Sequence, residues 1–351
     1  MNTDNAADNL LGLTLQTGWK VIAKINRLPN ATGSFFSVCY KVEKEGEICF
    51  LKALNFGAFF SNNNGKKNIT EVLTEMLEAH KYEKRLSELC KKKHASKIIF
   101  VKDSGEVNVD GYTISLVPYL IFDLADGDVR SQINLSNKLD FTWRLQSLHD
   151  IAVGIKQLHQ INISHQDIKP SNILLFKQDS KIGDLGRSLC FDVKSPYDDL
   201  AFSGDWNYAP PEIIYQYYEK DMRKRSYAID CYLLGSILVY YFLGISMTAL
   251  LMRHIPEPLK YYNWKGTFEE IQPYLINSFS DALIEFSNNI ENEYFKKELQ
   301  DLVERLCFPI PDKRGHIKIL NSSNPFNLER VITKFDVLHT KAKIKFFGVK
   351  S

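Results

Sequence analysis

Paired cysteines, an excess of either charge and any internal repeat or low-complexity segment are missing from this chain of 351 residues. Its six cysteines, Cys39, Cys49, Cys90, Cys190, Cys231 and Cys307, are scattered, with no Cys-x-x-Cys pair. That spacing indicates neither a zinc site nor a disulfide framework, and it fits a reducing compartment, so a cytoplasmic location is expected. The 44 Lys and Arg nearly balance the 42 Asp and Glu, giving a formal net charge of +2. A general polyanion binder carries more, so nucleic acid is not an expected partner, although a local basic patch stays open. Residues 1–11 hold two Asp and no Lys or Arg. This is the wrong order for a secretory signal, and residues 1–17 read as a loose polar lead-in.

The remaining composition is ordinary: 44% hydrophobic and 25% charged. Such a chain can bury one or two sizeable cores, and two lobes or domains are the default. The run from Cys231 to Met252 has no charged residue and is long enough to count as a membrane span. Basic residues lie on both sides of it, Arg223-Lys224-Arg225 and Arg253, giving little asymmetry to orient a span. A helix buried all round in a large core explains it better, and no membrane partner is expected.

Residues 18–55 gather β-branched and aromatic residues in three short runs, broken at Pro29-Asn30 and Glu45-Gly46. An antiparallel meander follows from that pattern. Lys52 lies on the third run between apolar neighbours, where burial is costly unless an anion pairs with it; a solvated edge lysine is the alternative. Residues 56–69 read as a loop insertion, and 70–93 as a helix, with Val72, Leu73, Met76, Leu77, Tyr82, Leu86 and Leu89 on three-to-four spacing. Strand-like runs follow at 97–101 and 112–117, then a strand, a turn and a helix cap from Pro118 to Asp128, a helix over 144–161 and two short strands at 173–176 and 180–183. A helix is expected over 299–306 and an extra one over 327–338. The basic tail with Lys341, Lys343, Lys345 and Lys350 reads as a solvated end.

Chemistry concentrates in His165-Gln166-Asp167-Ile168-Lys169-Pro170-Ser171-Asn172. Asp167 can accept a hydroxyl proton, Lys169 is a cation beside it, and Asn172 is a neutral oxygen ligand for a metal. Taken alone, the stretch also reads as a polar turn. It resembles the catalytic loop of the eukaryotic-type (Hanks-type) serine/threonine protein kinase family, His-Arg-Asp-x-Lys-x-x-Asn, with Gln166 in place of Arg. Lysine two residues after the base resembles serine/threonine rather than tyrosine kinases, and the general look is similar to a bacterial branch.

The resemblance extends over residues 18–320 and implies an α+β, two-lobed fold. A β-rich N-lobe would span 18–122, a larger helical C-lobe 123–320, and a helical extension with a basic tail 321–351. It implies ATP and Mg²⁺ in the cleft between the lobes. Asp167 would be the catalytic base and Lys169 the phosphate clamp. Gly33, Val38, Lys52, Glu83, Asp123, Ala125, Asp128 and Leu174 would serve the nucleotide. Lys52 would hold phosphates with a helix glutamate behind it, chosen as Glu83 from a helix that also carries Glu71, Glu75, Glu78 and Glu88. Asp123 to Ala125 would form the hinge at adenine, with Phe122 behind the pocket. Asp128 would meet ribose, a helix cap being the alternative. Asn172 and Asp184, in Asp184-Leu185-Gly186, would hold the metal.

Further on, Ala209-Pro210-Pro211-Glu212 resembles the end of the activation segment, Asp230 would tie down the catalytic loop backbone, Gly235 follows at the family spacing, and Arg314 would pair with Glu212. The departures are Ala31 and Phe36 at the outer positions of the glycine loop, Phe50 for Ala against adenine, Leu185 for Phe, and Gly204-Asp205 for Gly-Thr. The implied activity is phosphoryl transfer to a Ser or Thr hydroxyl of a protein of unspecified sequence, without the Arg-Asp pair. A pseudokinase scaffold and a small-molecule phosphotransferase remain as alternatives. The sequence carries no signal for oligomeric state.

Overall fold

Alternating apolar and polar side chains near the N-terminus become hydrogen-bonded strands, because alternation places every second residue on one face of a sheet. The computed structural model describes residues 5–26, 37–57, 68–135, 140–177, 179–316, 318, 322 and 324–348. The chain forms two units. The first comprises Met1–His94, Ile99–Asp126 and Asp184–Gly186; the second comprises Ala95–Ile98, Gly127–Gly183 and Arg187–Ser351.

The first unit is built on a five-stranded antiparallel sheet of β1 (Lys20–Ile25), β2 (Ser37–Lys44), β3 (Glu47–Leu54), β4 (Asp103–Asn108) and β5 (Leu116–Asp123), in the order β1-β2-β3-β5-β4. Helix α1 (Ile69–Lys92) begins with a capping box: Asn68 Oδ1 accepts from Glu71 N, and Glu71 Oε2 accepts from Asn68 N. Residues 97–101 are not a strand. Only Ile98 makes a bridge, to Ile182, and the strand lies at the polar segment β4 instead. Pairing with β5 along its whole length overrides the weak propensity of Asp103-Ser104-Gly105.

The lead-in is packed rather than loose. Residues Ala6–Asn9 form a 3₁₀ turn, Tyr40 Oη donates to Ala7 O at 2.7 Å, and Ala6, Ala7, Leu10 and Leu15 join Trp19, Tyr40, Leu51 and Tyr119 in one core. A sheet face of this size needs apolar cover, and these few residues supply part of it. The first unit runs to Asp126, past the expected boundary at 122/123, because β5 stays paired through Asp123 with Cys49 of β3.

The second unit begins with β6 (Gly127–Asp128), α2 (Val129–Leu135), α3 (Phe141–Gln160) and β7 (Ile163–Ser164). Next come β8 (Ile173–Phe176), β9 (Asp179–Ile182), β10 (Leu189–Cys190) and α4 (Pro211–Ile214). The chain ends with α5 (Met222–Leu243), α6 (Met247–His254), α7 (Phe268–Asn288), α8 (Glu293–Cys307) and α9 (Glu329–Phe347). Two small sheets, β6-β8-β9 and β7-β10, carry the loops of interest. Every residue of α5 from Ser226 to Tyr241 is buried, and the uncharged run is not one span: it breaks at Gly244, which caps α5, and resumes in α6, where Met247, Leu250 and Leu251 are buried. Gly235 lets α5 and α8 approach: a Cβ there would overlap Cys307 Sγ and Leu306 Cβ. The C-terminal helix is longer than the expected 327–338. It packs on α3, burying Val331, Phe335, Leu338 and Ala342, and Phe346 meets Phe141 at a centroid distance of 5.9 Å. All six cysteines are free thiols.

Candidate active site

Strand β3 buries Cys49, Leu51 and Ala53, which leaves Phe50 and Lys52 half-buried on the opposite face. The Lys52 ammonium lies 3.0 Å from both carboxylate oxygens of Glu83 and 3.0 Å from Asp184 Oδ1. Of the helix glutamates, Glu83 therefore meets the lysine, whereas Glu71 is engaged in the cap of α1. Burial alone would disfavour a charge on Lys52, but Asp184 and Glu83 outweigh it and hold its pKa above the ordinary lysine value. The amine is a cation at working pH. Asp184 adopts φ 59°, a left-handed conformation uncommon outside glycine, of the kind that concentrates at functional sites.

The other nucleotide candidates of this unit lie on its sheet and at the end of β5. Val38 is buried on β2 opposite Ala53. Phe50 stands opposite Phe122 in the β3–β5 register, their ring centroids 6.4 Å apart, so the residue at the usual Ala position is packed in an aromatic pair. Asp123 is exposed at the end of β5, with Lys102 Nζ 3.4 Å from Oδ1, and Ala125 follows in irregular chain. Gly33, with Ala31 and Phe36, lies outside the described residues.

In the second unit, the loop from His165 to Asn172 hangs from one buried carboxylate. Asp230 of α5 accepts from the backbone N–H of His165 and of Gln166, each at 2.9 Å, and from Ser164 Oγ at 2.8 Å; His159 Nε2 lies 2.9 Å from Oδ2. Burial would raise its pKa, but His159, the Gln166 N–H and Ser164 outweigh that and hold the carboxyl below the ordinary Asp value. Gln166 takes φ 66° and is fully buried, its side-chain amide donating to Ser164 Oγ at 2.7 Å and Ser226 O at 3.1 Å. The residue in place of Arg is thus a neutral brace inside the loop.

Asp167 is held from three sides. Its Oδ1 accepts from Asp205 N at 2.9 Å; its Oδ2 accepts from Asn172 Nδ2 at 3.1 Å and lies 3.1 Å from Lys169 Nζ. Asn172 Nδ2 also donates to Asp167 O at 2.8 Å, which commits the amide nitrogen and turns the amide oxygen into the atom suited to a metal. Lys169 is shared: Asp205 Oδ2 lies 3.3 Å from its ammonium. Burial opposes the charge on Lys169, and Asp167 with Asp205 outweighs it, holding the pKa above the ordinary lysine value.

Asp205, which in sequence is only a departure from the usual Thr, meets the loop twice, through its backbone N–H to Asp167 and its carboxylate to Lys169. Asp128 caps rather than waits: its Oδ1 accepts from Ser131 N at 2.6 Å, at the head of α2, with Leu174 opposite it on β8.

Gly204 lets the chain pass over the catalytic loop. A Cβ there would overlap the Gln166 carbonyl oxygen and the Phe202 ring. Gly204→Ala is therefore expected to destabilise the protein by about 1–3 kcal/mol, the range for forcing extra atoms into packed surroundings. Urea unfolding measures it; a midpoint equal to that of the parent chain would refute the close approach.

These features order themselves along the chain as strand lysine, helix glutamate, loop aspartate with lysine and asparagine, and a second aspartate beside the strand lysine. The protein kinase domain family matches residues 36–324. The chain belongs to that family. This kinase domain is 30% identical over 198 residues to an Aurora kinase of Debaryomyces hansenii, covering 56% of this chain and 41% of that protein. It is 28% identical over 254 residues to the serine/threonine-protein kinase ELM1 of Saccharomyces cerevisiae, covering 64% and 37%. It is 30% identical over 128 residues to the Aurora/IPL1-related protein kinase 2 of Caenorhabditis elegans, covering 36% and 38%. The matched parts make up about two fifths of each relative's length. These relatives are eukaryotic and lend the bacterial branch no support.

Proposed function

We propose that this kinase domain transfers the terminal phosphoryl group of ATP to Ser or Thr hydroxyls of protein substrates, with Mg²⁺ as cofactor. The observation that supports it best is the fixed triangle of Asp167, Lys169 and Asn172. A base whose two oxygens are already oriented by a backbone N–H, an amide and a cation needs little reorganisation when a hydroxyl arrives. Asp167 orients the hydroxyl and accepts its proton. Lys169 offers positive charge beside the base, and Asp205 keeps that ammonium charged and in place. Lys52, backed by Glu83, offers a second cation for nucleotide phosphates.

Hard oxygen donors of the kind magnesium takes alongside phosphates and water are present in each unit by itself, the Asn172 amide oxygen in the second and the Asp184 carboxylate in the first. Magnesium held by such donors would neutralise phosphate charge. A scaffold reading draws on the Phe50–Phe122 pair at the usual adenine side of β3. Incubation of purified protein with labelled ATP, Mg²⁺ and a generic protein acceptor, beside Lys52→Met, separates them. Transfer by the parent chain and its loss in the variant are expected. Equal label on both would sink the catalytic reading, and nucleotide binding without transfer would favour the scaffold.

The neutral brace at Gln166 carries a regulatory consequence. Arg would make a charge-assisted contact to a phosphorylated segment, and Gln cannot. Ser203 Oγ already donates to Arg187 O at 2.6 Å, and Ser195 Oγ accepts from Tyr197 N at 3.1 Å. Replacing Ser195 and Ser203 by Ala and Tyr197 by Phe is expected to leave turnover within about threefold, well under the 1.4 kcal/mol that a tenfold change represents. Abolished turnover in a folded triple variant would overturn this.

A further inference from the structure

Helices α8 and α9 and the chain at His316 line a cavity of about 260 Å³ within the second unit that is partly open to solvent, with Asp301, Leu302, Arg305, His316, Arg330 and Val331 among its walls. We propose that this cavity is a receptor site for a phosphate monoester of the size of a phosphoserine side chain. Leu302 and Val331 are buried and provide apolar walls. The two guanidinium groups, Arg305 and Arg330, have no hydrogen-bond or ion partner among the described residues. Lys334, by contrast, is paired with Glu298, which leaves Asp301 as the one carboxylate of the cavity facing two unmatched cations.

His316 supplies a donor without needing charge. Its Nδ1 accepts from Lys318 N at 3.2 Å, so the neutral ring carries its proton on Nε2. Burial, then the cations Arg305, Arg330 and Lys318, push the imidazole pKa below its ordinary value, which marks the positive field of the site. Arginine forks bind phosphate oxygens bidentately and are the usual readers of phosphorylated side chains. The volume falls below the roughly 300–1,000 Å³ typical of sites for drug-sized ligands, which favours a single phosphate group on a short stem over a nucleotide.

The test uses the full chain, titrated by calorimetry at constant ionic strength with inorganic phosphate and with N-acetyl-phosphoserine amide. The parent is expected to bind the ester saturably. Arg305→Gln with Arg330→Gln should weaken it at least about tenfold, whereas Asp301→Asn should tighten it a few-fold, about 1.4 kcal/mol corresponding to each factor of ten. Because the two substitutions act in opposite directions, loss of fold cannot mimic the pattern. Phosphoryl transfer, which uses none of these residues, should persist in both variants. Equal affinity in parent and variants, or no saturable binding, overturns the proposal. Binding of inorganic phosphate with rejection of the ester overturns the monoester assignment.

Discussion

Asp167→Asn is expected to lower phosphoryl transfer by about 10²- to 10⁴-fold, the usual contribution of a positioned general base. The substitution keeps the shape of the side chain. An Asn oxygen can still accept from Asp205 N, the contact that Asp167 Oδ1 makes at 2.9 Å. What disappears is the proton acceptor and the negative partner of Lys169, whose ammonium keeps Asp205 at 3.3 Å. The loop itself should hold, because its backbone hangs on Asp230 through His165 and Gln166 rather than on Asp167. Steady-state kinetics on a variant with parental circular dichroism and parental urea midpoint checks this. A variant within threefold of the parent would remove Asp167 from the chemistry.

The second large effect is on stability. Arg314 is fully buried and donates through Nη1 to Glu212 Oε1 at 2.6 Å and through Nη2 to Oε2 at 2.5 Å. Its Nε also donates to Phe308 O at 2.8 Å, and the guanidinium lies 5.0 Å from the Tyr232 ring centre. Removing one partner strands the other charge in the interior, so Arg314→Met should cost about 3–5 kcal/mol. Replacing both, as Arg314→Met with Glu212→Leu, should restore much of that, since desolvating the pair offsets most of its attraction. Urea unfolding of the single and double variants reads the difference. A double variant no more stable than the single one would mean that the pair is net favourable, contrary to this expectation. The contact joins α4, which ends the activation segment, to the chain after α8. Its loss should therefore also loosen the segment carrying Gly204 and Asp205.

How legible these features were depended on how local each signal is. The Asp167–Lys169–Asn172 set lies within one short loop, and its resemblance to the family's catalytic loop separates it from the polar turn that the residues alone also allow. Asp230 and Arg314 were legible through the order of motifs along the chain. The core helix α5 was legible because a helix apolar on every side has few destinations. By contrast, β4 was misplaced, since Asp103-Ser104-Gly105 has no strand propensity and is held by β5. The lead-in differs for another reason: Leu10 and Leu15 are too sparse in sequence to show a period, and their place comes only from the sheet face they cover.

Sequence by itself determined the family and the order of its motifs, through the resemblance they carry, and most of the helices and strands, through their periodic runs. Tertiary structure alone decided which glutamate meets Lys52, since several share one helix and only the packing of α1 brings Glu83 within 3.0 Å. It alone turned Asp205 from a departure into a partner of Lys169 and Gln166 from a missing arginine into a buried brace. It also gathered Arg305, His316 and Arg330 into one cavity. Contacts between residues far apart in the chain depend on how helices and strands pack, and no local pattern encodes that.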